Sequence, residues 1–123
     1  MGGIRSFRDL EVYQRAHALS GRIYNLTLKF PEFERYELGR QLRNSSRSIP
    51  ANIAEGHGRR AYEKDFKRFL SESLGSCNET QVHLDHARDC GYVSEQEHKN
   101  LMSECGEIGK MLTTLIKRWH SAT

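Results

Sequence analysis

Ser48-Ile49-Pro50-Ala51-Asn52-Ile53-Ala54-Glu55-Gly56 is the stretch on which the fold turns. Its proline either divides two helices or sits inside one. Pro50 lacks the amide that would bond to the Ser46 carbonyl, and its ring crowds that turn. Upstream, Leu38, Leu42, Ser45 and Ile49 recur at helical spacing. Ile53 continues in phase beyond the proline, with Ala51 and Ala54 read as inward residues beside it. The unbroken phase predicts one helix from about Glu34 to Glu55, kinked at Pro50, with Gly56 and Gly58 closing it. Asn52 is expected to satisfy carbonyls that the proline frees. A polar contact site made by Asn52 and Glu55 is the rival reading.

Three further seams flank this helix. Val12, Ala16, Leu19, Ile23, Leu26 and Phe30 repeat at alternating steps of four and three, which predicts a helix from about Asp9 to Lys29, stopped by Pro31. Phe66, Leu70, Ser73, Cys77, Thr80, Leu84 and Ala87 predict a third, from about Tyr62 to Asp89, with Gly91 just past its end. Its waist is small, with Ser73, Gly75, Ser76 and Cys77, and suits a close neighbour such as the kinked segment. Ser94-Glu95-Gln96-Glu97 forms a capping box. Leu101, Cys105, Ile108, Leu112, Leu115 and Trp119 follow, and the fourth helix should reach about His120. Short connections force antiparallel neighbours. The expected fold is all-α: one domain over residues 1–123, an up-down-up-down antiparallel four-helix bundle with helix two kinked at Pro50.

Composition agrees with this class. The chain has 123 residues, 37% hydrophobic and 28% charged, with 2 prolines. No apolar run approaches the roughly 18 residues of a membrane span. Met1-Gly2-Gly3-Ile4-Arg5 shows no signal segment. The 3 cysteines, Cys77, Cys90 and Cys105, form no C-x-x-C pair. Reduced thiols in a cytoplasmic protein are the simple expectation. The glycosylation-like Asn25, Asn44 and Asn78 triplets fall in helices and are read as chance, as is the myristoylation-like Gly2. Gly56-His57-Gly58 reads as a flexible interhelical loop rather than a phosphate cradle.

Charge is unevenly spread. Lys and Arg number 19 against 16 acids, a net +3. From Arg40 to Arg68 stand Arg40, Arg43, Arg47, Arg59, Arg60, Lys64, Lys67 and Arg68. Only Glu55, Glu63 and Asp65 oppose them, so the segment carries +5 and the remainder −2. Such a basic middle suits a polyanion or an acidic partner, and equally a solvated helix face whose acids neutralise it. Catalytic and cofactor chemistry find no support. Glu95-x-x-His98 stands without the second motif of a di-metal bundle. His83 and His86 lack further ligands and read as a polar solvent face. Ser73 and Cys77 have no base or orienting group marked beside them.

Certain words of the sequence also carry a resemblance. Phe7-Arg8-Asp9-Leu10-Glu11-Val12-Tyr13 opens the chain, and Tyr36-Glu37-Leu38-x-x-Gln41-Leu42-Arg43 follows. Then come the run from Ser48 to Gly56, Phe69-Leu70, Gly75-Ser76 and Gly91-Tyr92-Val93-Ser94. In this order they resemble the bacterial four-helix bundle family of 23S ribosomal RNA intervening-sequence proteins, from about Ile4 to Lys117. Cys77 and Thr80 depart from the Leu or Ala and the Leu or Glu expected there. The resemblance implies a homopentamer and supplies no catalytic residue, metal or cofactor. Related accessory proteins of diversity-generating retroelements bind nucleic acid and a reverse transcriptase. Aromatic residues outside the seams, Phe7, Phe33, Tyr36 and Tyr92, need cover that self-association would give.

Two functions follow as expectations. One is a non-enzymatic oligomer associated with RNA or DNA through the eight bases from Arg40 to Arg68. Arg40, Arg43 and Arg47 share a helix face, so a ring of copies would carry a basic band. The other is a scaffold whose basic face meets an acidic protein, without nucleic acid. Neither involves a membrane or a small-molecule substrate.

Overall fold

A computed structural model of the chain describes residues 3–119. A short 3-10 turn, Phe7–Asp9, leads into α1 (Glu11–Thr27), α2 (Glu32–Arg35), α3 (Leu38–Gly58), α4 (Glu63–Asp89) and α5 (Glu95–Arg118). No strand occurs among the described residues. The architecture is all-α, with four long helices. No helix among the described residues is long and apolar enough to cross a membrane.

The four seams form the core. From Val12 to Phe30, every seam residue of the first segment is buried. So are Leu42, Ile49 and Ile53 of α3, Phe66, Leu70, Cys77 and Leu84 of α4, and Leu101, Cys105, Ile108 and Leu112 of α5. Each Leu, Ile, Val or Phe among them contributes about 1.5–3 kcal/mol of burial. Leu115 and Trp119 are half-buried, and the Trp119 ring lies 4.6 Å from that of Phe66. His120 lies outside the described residues.

α3 runs through Pro50 without interruption. Its neighbour α4 fits against it through hydroxyls. Ser73 Oγ donates to the Ile49 carbonyl at 2.8 Å, and Ser76 Oγ meets Ser48 Oγ at 2.9 Å. Thr80 Oγ1 donates to the Ser76 carbonyl and lies 2.9 Å from Ser45 Oγ. The small waist of α4 is thus a hydrogen-bonded seam, and Thr80 is fully buried within it. Numbers rise along α3 as they fall along α4. The same holds for α1 and α3, where Tyr24 faces Arg47 and Thr27 meets Arg43. It holds again for α4 and α5, where Gln81 meets Met102 and Asp85 meets His98.

Several expectations are corrected. The first helix is shorter at both ends: Asp9 accepts from the Arg5 and Ser6 amides and closes a separate turn before it, and at its far end the Lys29 and Phe30 amides bond to carbonyls only three residues back. The second helix does not begin at Glu34. α2 ends at Arg35, and α3 starts afresh at Leu38. Arg43 Nη2 holds the Arg35 carbonyl at 2.9 Å, capping α2 from eight residues away. Gly56 and Gly58 lie inside α3, so the expected loop is helical. A Cβ on Gly56 would stand 3.1 Å from Phe69 Cβ and 3.3 Å from the Phe66 carbonyl, so glycine is there for close packing. Ala51 is exposed rather than inward. Asn52 Nδ2 takes the Ser48 carbonyl and hydroxyl, both at 2.9 Å, and not the Ser46 carbonyl that Pro50 frees. At the end of α4, Gly91 has φ +79, Tyr92 N–H bonds to the Ala87 carbonyl and Gly91 N–H to that of Arg88, which completes a Schellman motif.

Candidate nucleic-acid interface

The eight bases fall into two groups at opposite ends of α3. Arg40 and Arg59 are separated by roughly 28 Å of helix at 1.5 Å per residue. Three of the five bases at the α3–α4 corner pair with acids. Arg59 pairs with Glu55 at 3.1 Å and reaches Asp65 at 3.8 Å. Lys67 pairs with Glu63, and Arg68 with Glu72, both at 3.2 Å. The Arg59 and Arg68 guanidinium groups both lie on the Phe69 ring, 5.2 and 4.3 Å from its centroid. Arg60 Nη1 donates to the His57 carbonyl at 2.8 Å and caps α3. Burial, helped by the Arg60 charge, holds the His57 imidazole below its ordinary pKa. Lys64 is exposed on the first turn of α4.

The group on the first half of α3 differs. Arg40 donates to the Tyr36 carbonyl at 2.6 and 3.0 Å. Arg43 is half-buried and joins Thr27 Oγ1 to the Arg35 carbonyl, both at 2.9 Å. Arg47 lies over the Tyr24 ring at 5.6 Å. Among the described residues none of the three meets a carboxylate, so their bonds orient the charges without cancelling them.

Packing explains why this face stays positive. α1 lies directly against α3, and neither residues 12–31 nor residues 38–54 contain an Asp or Glu. Together they hold Arg15, Arg22, Lys29, Arg40, Arg43 and Arg47. Among the described residues only Arg15 finds a carboxylate, a two-point pair with Glu104 of α5 at 2.8 and 3.0 Å. That pair holds the Glu104 carboxyl below its usual range against the opposing effect of burial. The contiguous basic segment read from the sequence thus divides in space between a corner where acids pair with Arg59, Lys67 and Arg68 and a stretch of α3 without them. The missed signal was the absence of acids in two stretches that lie far apart in the chain and side by side in space.

His83 is buried, against the expectation of a solvent face. Its Nε2 sits 3.2 Å from Glu79, and its Nδ1 is buried without a partner among the described residues. His86 is exposed, and His98 pairs with Asp85 at 2.8 Å. No three His, Cys, Asp or Glu side chains among the described residues could hold a metal together. Cys77 and Cys105 are buried, with burial pushing each thiol up to about 12, whereas Cys90 is exposed.

Comparison with known proteins agrees with the fold. Solved structures match, among them a protein of unknown function from the S23 ribosomal protein family of Bacteroides thetaiotaomicron VPI-5482. It has a TM-score of 0.75 and 27% identity, over 86% of this chain and 98% of that one. No curated protein matches. A model of one family, described as 23S rRNA-intervening sequence protein, matches residues 8–114. The run from Ser48 to Gly56 falls inside that match, and with it the chain belongs to the 23S rRNA-intervening sequence protein family.

Proposed function

We propose that this chain is a non-enzymatic, homopentameric bundle protein that holds nucleic acid by its phosphates. The observation carrying the reading is the pairing of the acid-free stretches 12–31 and 38–54, on which neither Arg40 nor Arg47 meets a carboxylate among the described residues. Phosphate contacts of this kind release counterions and carry no base readout. The opposed residue numbering of α1, α3, α4 and α5 supports an up-down-up-down antiparallel arrangement, and the missing Pro50 amide supports a kink in α3. Self-association is supported by Phe33 and Tyr36, which stay 70% and 62% exposed. Phe7 and Tyr92 need no such cover, because Phe7 packs on Tyr13, and Tyr92 packs on Phe30 and donates to Glu34 at 3.0 Å. Free thiols suit the cytoplasm. A protein partner such as a reverse transcriptase rests on the resemblance alone.

Labelled RNA and duplex DNA, titrated by fluorescence anisotropy over a salt series, test the reading. Affinity falls linearly with salt on logarithmic axes. Arg40→Gln with Arg47→Gln weakens all sequences alike and lowers the slope by about 0.9 per lost phosphate contact on duplex DNA. Arg43 is left in place because it ties α1 to α2. No binding at low salt, with capture of an acidic protein instead, would favour the scaffold reading.

A further inference from the structure

The face between α1 and α3 is more than a charged surface. Tyr13, His17 and Tyr24 lie along one stripe of α1, where residues four and seven apart fall on the same side. The Tyr13 and His17 rings stack at 5.9 Å with an interplanar angle of 22°. Tyr24 is 41% exposed, and the Arg47 guanidinium lies over it. Between the stripe and α3 runs an open groove of about 320 Å³, lined by His17, Ser20, Gly21, Tyr24 and Arg47. A Cβ on Gly21 would meet nothing within 4 Å, so the glycine leaves the middle of the groove empty. From Tyr13 to Tyr24 the stripe spans roughly 17 Å. It carries flat π surfaces, cations and no carboxylate.

We infer that this groove binds single-stranded nucleic acid, with unpaired bases stacking on Tyr24 and on the Tyr13–His17 pair while Arg47 and Arg40 hold phosphates. The inference rests on the proposed basic face and names the form of nucleic acid it takes. In a duplex the base faces are already stacked and cannot reach a side-chain ring. A single strand offers them without that cost, and stacking tolerates any sequence because every base has a π face. A purely phosphate-reading surface would need the arginines but neither the tyrosine nor the empty groove.

The test measures anisotropy of a fluorescein-labelled twelve-nucleotide oligo(dT) and a twelve-base-pair duplex at one low salt concentration. Wild-type, Tyr24→Ala, Tyr24→Phe and Gly21→Leu proteins are compared. Wild type binds the single strand more tightly than the duplex. Tyr24→Ala weakens single-strand binding roughly tenfold, within the range for one base–aromatic stack, and leaves duplex binding unchanged. Tyr24→Phe keeps the ring and binds as wild type. Gly21→Leu keeps the charge and, with better helix propensity than glycine, the fold, yet fills the groove and weakens single-strand binding alone. Salt-dependent binding to both probes that ignores Tyr24 and Gly21 overturns the stacking groove and leaves the basic face standing. Absence of binding to either probe overturns both.

Discussion

Two glycines on α1 and α3 show how the same residue type answers to different causes. Gly21 faces open space, so Gly21→Ala should raise stability by about 0.5–1 kcal/mol through helix propensity alone. Gly56 lies against Phe69 and the Phe66 backbone, so Gly56→Ala should cost about 1–3 kcal/mol by overpacking. Urea unfolding of the two variants checks the opposite signs. The thiols separate as clearly. Buried Cys77 and Cys105 are held protonated, so a thiol reagent at pH 8 should modify Cys90 alone in the native protein and all three after unfolding. His57 predicts the behaviour in mild acid. Its folded pKa lies below the unfolded value of about 6.5, so the unfolded chain takes up the proton first. The stability it contributes is present above that pH and is lost as pH falls through the lowered folded value. His57→Asn should flatten that part of the stability profile, and an unchanged profile would count against it.

Among the helices, α3 depends most on tertiary partners. Its hydroxyl seam with α4 supports the helix around Pro50, and Ser73→Ala should cost about 0.5–1.5 kcal/mol by removing the buried hydroxyl's bond to the Ile49 carbonyl. Arg43→Ala should also destabilise, by about 1–2 kcal/mol, because it frees Thr27 and the Arg35 carbonyl together. Arg47→Ala should be nearly neutral, and thermal unfolding separates the two. These elements mark the limit of what local pattern conveys. Seam residues such as Leu19, Leu42 and Ile108 were legible because burial is written as periodicity. The cap at Gly91 was legible because only glycine enters φ +79 freely. The break between α2 and α3 was not, since no proline or glycine marks Arg35–Glu37 and Arg43 closes it from a distance. Gly56 misled for a related reason: the residue that ends helices also lets them approach, and only the position of Phe69 decides which.

For the whole molecule, the candidate site was half legible. The arginines of α3 stood out, but a run of bases in sequence is not a patch in space. At the α3–α4 corner, helical spacing brings Glu63 to Lys67 and Glu72 to Arg68, which cancels much of the apparent charge. On the α1–α3 face the charge survives because residues 12–31 and 38–54, packed side by side, contain no acid. Self-association would repeat that face around a ring. Light scattering on a sizing column should therefore give the mass of five chains, and a single-chain mass at micromolar concentration would contradict the pentamer. The most direct test of the account compares two double variants that each remove two positive charges. Salt-dependent RNA binding is measured for Arg40→Gln with Arg47→Gln, and for Arg59→Gln with Arg68→Gln. The account predicts a weaker affinity and shallower salt slope for the first pair and near wild-type behaviour for the second. Equal losses in both, or a loss confined to the α3–α4 corner, would contradict it.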